Sequence, residues 1–144
     1  MRINGSWVSN ANGVLEPVLR VAVESAPGEW IEEAFLVDSG AEQTVLSPEL
    51  IKSLDVPRRP SLNQLIGIGG VISCLTVTTR LRLQREDGLP AMINGPFDGI
   101  PEGREGELSI LGRDVLGNFA LILDRPGRVI SLLHGQHWYA IHEV

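Results

Sequence analysis

Along most of the chain, apolar positions alternate with polar ones or gather in short runs, the spacing of β-strands and not of long helices. Val18-Leu19-Arg20-Val21-Ala22-Val23 is a β-rich run, Ser25-Ala26-Pro27-Gly28 supplies turn residues, and Trp30 to Val37 resumes extended structure, so the two runs predict a hairpin. The second run closes on apolar Ala34-Phe35-Leu36-Val37, a strand entering the core, and Asp38-Ser39-Gly40-Ala41 follows at once. A short helix is expected next. Ser47 suits the N-cap, Pro48 the first helical position and Glu49 the first turn, while Leu50, Ile51 and Leu54 give an apolar face. Asp55-Val56-Pro57 ends it.

A second strand-rich block runs from Leu62 to Arg85, with Ile66-Gly67-Ile68-Gly69-Gly70 at its middle. Val71 to Leu83 is its longest β-like segment, placing Leu75, Val77 and Thr79 on one face and Cys74, Thr76 and Thr78 on the other. From Glu86 to Glu107 the alternation weakens. The stretch Asp98 to Glu107 reads as an exposed loop, and Met92, Ile93, Pro96 and Phe97 before it as a small satellite core. A Leu108-Ser109-Ile110-Leu111 strand then runs into Gly112-Arg113-Asp114, followed by a short helix at Val115 to Asn118. Strands are expected at Phe119 to Leu123, at Val129 to Leu133 and finally at Trp138 to Ile141. The pattern is all-β with two short helices, in a single domain spanning residues 1–144.

Composition narrows the function classes. The single cysteine, Cys74, excludes an intrachain disulfide and a cysteine-cluster metal site, and its place in a strand gives it a buried structural role. Twelve basic residues against eighteen acidic ones give a net charge of -6, with no basic patch of the kind that binds nucleic acid. Arg80, Arg82 and Arg85 read as a solvated strand face. No apolar run approaches the ~20 residues of a membrane span. The N-terminus MRINGSWVSN carries no apolar signal core, so the expected location is cytoplasmic. His134 and His137 have a spacing open to zinc, but no cysteine or third ligand accompanies them; with His142 they read as surface or interface groups. Asp114 and Asp124 read as cap or turn groups. Neither a metal nor a cofactor is expected.

The candidate chemistry lies at Asp38. A carboxylate directly after a buried strand is costly unless donors surround it, and Gly40 permits a turn whose amides supply them. By itself an Asp-Ser-Gly triplet is also an ordinary turn composition. The longer string from Phe35 to Leu46, however, resembles the active-site segment of the retropepsins, the retroviral-type aspartic proteases. Ile66-Gly67-Ile68-Gly69-Gly70 resembles their glycine-rich flap tip, and Ile110 to Leu116 their second signature, a strand ending in glycine and leading into a short helix.

The resemblance implies the retropepsin-like fold, a single lobe with a flap hairpin. It makes Asp38 the catalytic aspartate, Ser39 the hydroxyl that bonds across to a partner loop, and Gly40 the carbonyl that meets substrate backbone. Ala41 and Glu42, with the flap residues Gly67, Ile68, Gly69 and Gly70, are implied to bind substrate, and Gly112 and Arg113 to support the loop, Arg113 through an ion pair with Glu42. Such chemistry needs two carboxylates sharing a proton, whereas this chain has one Asp-Ser-Gly block; a homodimer is therefore expected, acting on peptide or unfolded protein. Met1 to Trp7 and Trp138 to Val144 are the candidate dimerisation strands. An apolar groove, with a preference for hydrophobic side chains, is the accompanying expectation. The alternative is a catalytically weak or inactive module of the same fold that binds peptide or protein.

Overall fold

In the computed structural model, which describes residues 1–67, 70–103 and 106–143, the alternating stretches become a curled β structure with two short helices. The elements are β1 (Arg2–Asn4), β2 (Ser6–Ser9), β3 (Leu15–Glu24), β4 (Trp30–Val37), β5 (Val45–Leu46), α1 (Pro48–Leu54), β6 (Arg58–Gly67), β7 (Gly70–Val77), β8 (Arg80–Gln84), β9 (Pro90–Asn94), β10 (Phe97–Gly99), β11 (Ser109–Leu111), α2 (Arg113–Leu116), β12 (Ala120–Asp124) and β13 (Val129–Leu133). A large sheet runs in the order β6-β7-β10-β5-β11-β4-β3-β8-β9, with β2 also on β3; a small sheet runs β1-β13-β12.

The expected hairpin forms between β3 and β4, in a register from Val18 opposite Leu36 to Glu24 opposite Trp30. Its apolar positions face a core that includes Leu19, Val21, Phe35 and Val37, closed by Leu50, Ile51 and Leu54 of α1. Full burial of each such side chain stabilises by about 1.5–3 kcal/mol. Helix α1 starts as its caps predict: the Ser47 hydroxyl accepts from the Leu50 N–H at 3.2 Å, and Asp55 closes it in the left-handed region at φ 52°.

Several segments differ from the sequence reading. The single strand expected over Val71 to Leu83 is two, β7 and β8, because the chain changes neighbours there. β7 pairs with β6 and β10, whereas β8 pairs with β3 and β9. Thr79 fixes the corner, its hydroxyl donating to the Glu24 carbonyl at 2.6 Å. The weak stretch after Glu86 holds two strands. Phe97 belongs to the main core, not to a satellite, and Ile93 packs against it. Asp98, expected at the start of an exposed loop, is buried in β10. Helix α2 begins at Arg113, two residues ahead of the expected Val115, because the Gly112 carbonyl already accepts from Val115 and Leu116.

The strand expected at Trp138 to Ile141 is absent, and the N-terminal segment is paired. Met1 to Trp7 are engaged within the chain. β1 pairs with β13, β2 pairs with β3, and the Trp7 indole donates to the carbonyls of Asp124 and Val129. Trp138 to Ile141 form no strand: Trp138 is 92% and Ile141 95% exposed. Val144 lies outside the described residues.

The arginine face is less solvated than its spacing implies. Arg80 pairs with Glu24 at 2.5 Å, Arg85 pairs with Asp87, and the Arg82 guanidinium lies 4.5 Å from the centre of the Trp30 ring. Cys74 is buried as expected; burial, and after it the nearby Asp98 carboxylate, push its thiol above the ordinary range. Among the described residues, no helix is long and apolar enough to cross a membrane.

Candidate active site

Strand β11 runs between β4 and β5, parallel to the first and antiparallel to the second. This insertion makes the loop from Asp38 to Thr44 cross the segment that follows β11, and backbone bonds stitch the crossing together. The Asp38 N–H donates to Leu111 O at 3.1 Å, Arg113 N–H to Ala41 O at 2.9 Å and Asp114 N–H to Glu42 O at 3.2 Å. Gly112 sits at the crossing. A Cβ there would lie 2.5 Å from Gln43 O and 2.9 Å from Thr44 N, both backbone atoms that cannot swing away. Gly112→Ala is therefore expected to lower unfolding stability by roughly 3 kcal/mol, the upper end of ordinary overpacking. A denaturant midpoint within error of the wild type would refute that reading of the crossing.

The catalytic candidate is half-buried at the end of β4. Asp38 Oδ1 accepts from the Gly40 N–H at 2.9 Å, so the glycine turn supplies an amide donor as the sequence suggested. Ser39 is exposed, and among the described residues its hydroxyl has no partner within the chain. Arg113 does not form the expected ion pair with Glu42. Its Nη1 donates instead to the carbonyls of Ser39 at 3.0 Å and Gly40 at 3.2 Å, which clasps the same loop through backbone rather than through charge.

Two supports escaped the sequence reading. Thr44, fully buried, donates its hydroxyl to Asp114 Oδ1 at 2.7 Å and its N–H to the same oxygen at 2.9 Å, while its own Oγ1 accepts from the Gly112 N–H at 3.0 Å. Behind the loop, the Glu33 carboxylate accepts from Ser47 Oγ at 3.2 Å and Ser109 Oγ at 2.5 Å, and Ser109 Oγ accepts from the Ser47 N–H at 2.9 Å. The strings Thr44…Asp114 and Glu33…Ser47…Ser109 carry no local signal, since their members meet only when β11 enters the sheet.

A cleft of about 510 Å³ opens beside Asp38. It brings Asp38, Gly40, Ala41 and Glu42 against Gln64, Leu65 and Ile66 of β6. The expected flap residues fall at the β6–β7 turn: Gly67 ends β6 opposite Gly70, Gly70 adopts φ 113°, and Ile68 and Gly69 lie outside the described residues. The groove is not apolar as expected, because polar and acidic residues share its lining with Val45 and Ile110. A second cavity, of about 560 Å³ between the N-terminal strands and β3, shares no lining residue with it. Among the described residues, no group of three or more His, Cys, Asp or Glu is placed to hold a metal ion.

No family model matches the chain, and no curated protein matches it in sequence. Solved structures do match. A retropepsin-like aspartic protease from Rickettsia conorii is 16% identical, with a TM-score of 0.58, over 92% of this chain and 90% of that one. The EIAV protease complexed with the inhibitor HBY-793 is 19% identical, with a TM-score of 0.50, over 76% of this chain and 92% of that one. At these identities the likeness shows the fold: this is a retropepsin-like aspartic-protease fold, a small curled sheet with two short helices.

Proposed function

We propose that the chain is one subunit of a homodimeric aspartic endopeptidase in which the Asp38 carboxylates of two copies form the catalytic pair. The observation that carries this reading is the placement of Asp38. A carboxylate ends a core strand, is oriented by the Gly40 amide, and opens on a cleft in a fold of this class. Like charges a few ångströms apart cannot both ionise, so two such aspartates hold one proton between them. The ionised member takes a proton from water as it attacks the peptide carbonyl, and the protonated member donates to the carbonyl oxygen. Ser39, its hydroxyl without a partner among the described residues, reaches the partner loop, and the β6–β7 hairpin closes over an extended peptide.

The second copy joins along the small sheet, whose order β1-β13-β12 leaves β1 and β12 each with one edge free of a strand partner among the described residues, and the backbone groups on such edges need one. The test is cleavage of a diverse unfolded-peptide mixture from about pH 4 to 7.5, since the protonation of a carboxylate pair governs its activity. Wild type cuts and Asp38→Asn does not; equal cutting by both refutes the proposal.

A further inference from the structure

β10 supplies a part of the cleft that the function proposed above does not use. Asp98, its middle residue, is 4% exposed and stands in register with Val45 on one side and Thr76 on the other. It lines the same cleft as Asp38. Its carboxylate is held by neutral donors: Asn63 Nδ2 donates to Oδ1 at 3.1 Å and to Oδ2 at 3.2 Å, and Ser61 Oγ stands 3.4 Å from Oδ1. An ionised carboxylate offers about four acceptor positions. One amide group and one long hydroxyl contact leave part of that capacity open.

Charge is unbalanced too. Among the described residues no lysine, arginine or histidine lies within ion-pair distance of Asp98. Those lining the cleft include three carboxylates, Asp38, Glu42 and Asp98, and no basic group. A buried carboxylate without a countercharge is costly, and an arriving cation offsets that cost.

We infer that Asp98 is a specificity-determining residue, and that the cleft selects extended peptides carrying a lysine or arginine side chain close to the bond held at Asp38. The aliphatic stem of such a side chain lies along Val45, Leu65 and Ile110, and its cationic head reaches Asp98. Two copies related by a two-fold axis place one Asp98 on each side of the bond. The net charge of -6 steers basic peptides toward the protein as a whole. This inference rests on the peptide-binding role proposed for the cleft.

The test uses peptides in which a hydroxyethylene isostere replaces the bond to be cut, so binding is read without chemistry. Lysine or norleucine is placed singly at each of the nearest positions on either side. At one position on each side, the lysine peptide is expected to bind wild type at least roughly tenfold tighter than its norleucine twin, the scale of one charge-assisted hydrogen bond. Asp98→Asn brings that ratio close to one. The wild-type ratio also falls as salt rises, a readout that stands if the variant does not fold. Norleucine peptides bound as tightly as lysine ones overturn the inference alone, as does a ratio that persists in Asp98→Asn or ignores salt. Failure of every peptide to bind overturns it together with the proposed function.

Discussion

An equimolar mixture of wild-type chain and Asp38→Asn is expected to retain about a quarter of the peptidase activity of the same total amount of wild type, because random pairing leaves a quarter of the dimers with two aspartates. The expectation follows from one Asp38 per chain and from chemistry that needs a base and an acid at once. Losing either partner removes a general acid or base, a loss of about 10²–10⁴-fold on its own. Mixed dimers thus add almost nothing to the measured rate. Retention of half the activity means that each chain works alone and sinks the shared pair. Dilution gives an independent check, since activity per chain falls once the concentration drops below the dimer dissociation constant.

Asp114→Ala is expected to lose about 3–5 kcal/mol of unfolding stability. Asp114 Oδ1 accepts from the Thr44 hydroxyl, the Thr44 amide and the Val115 amide. Truncation strands buried donors of Thr44, each costing about 1–3 kcal/mol when left unpaired. Asp114→Asn keeps an acceptor oxygen and is expected to lose about half as much. Chemical denaturation of the two variants checks the order. If alanine and asparagine cost the same, the carboxylate is acting by charge or packing and not as the acceptor for Thr44. The Asp114→Ala loss extends to activity, because Thr44 also receives the Gly112 amide and so fixes both segments of the crossing.

What could be read from the sequence was whatever has a local physical cause. Helix α1 is announced by Ser47, Pro48 and Glu49, whose effects act within one turn. The Asp38 loop stands out because an apolar strand ends abruptly in a carboxylate and a glycine. Asp98 is the opposite case. It sits among Gly95, Pro96, Gly99 and Pro101, a loop composition, and becomes strand only because β7 and β5 offer it edges from distant parts of the chain. Arg113 was expected to pair with Glu42, and its guanidinium donates instead to the carbonyls of Ser39 and Gly40, a backbone contact that carries no signature in side-chain charge. The tail shows what side-chain preference leaves out: Trp138, Tyr139 and Ile141 have strand-forming side chains, but no strand among the described residues pairs with them and all three stay exposed.

The passage of β11 between β4 and β5 also governs when the site comes into being. As the chain is synthesised, Asp38 emerges early, flanked by β3 and β4, which can pair as a local hairpin. Its loop has nothing to cross until Leu111, Gly112 and Asp114 follow, after more than half the chain has been made. Contacts so distant in sequence form late, since the entropy of closing the intervening loop must be met first. A nascent or truncated chain therefore carries the aspartate without its setting. The geometry itself delays the setting of Asp38 until the last third of the polypeptide has folded back through the first.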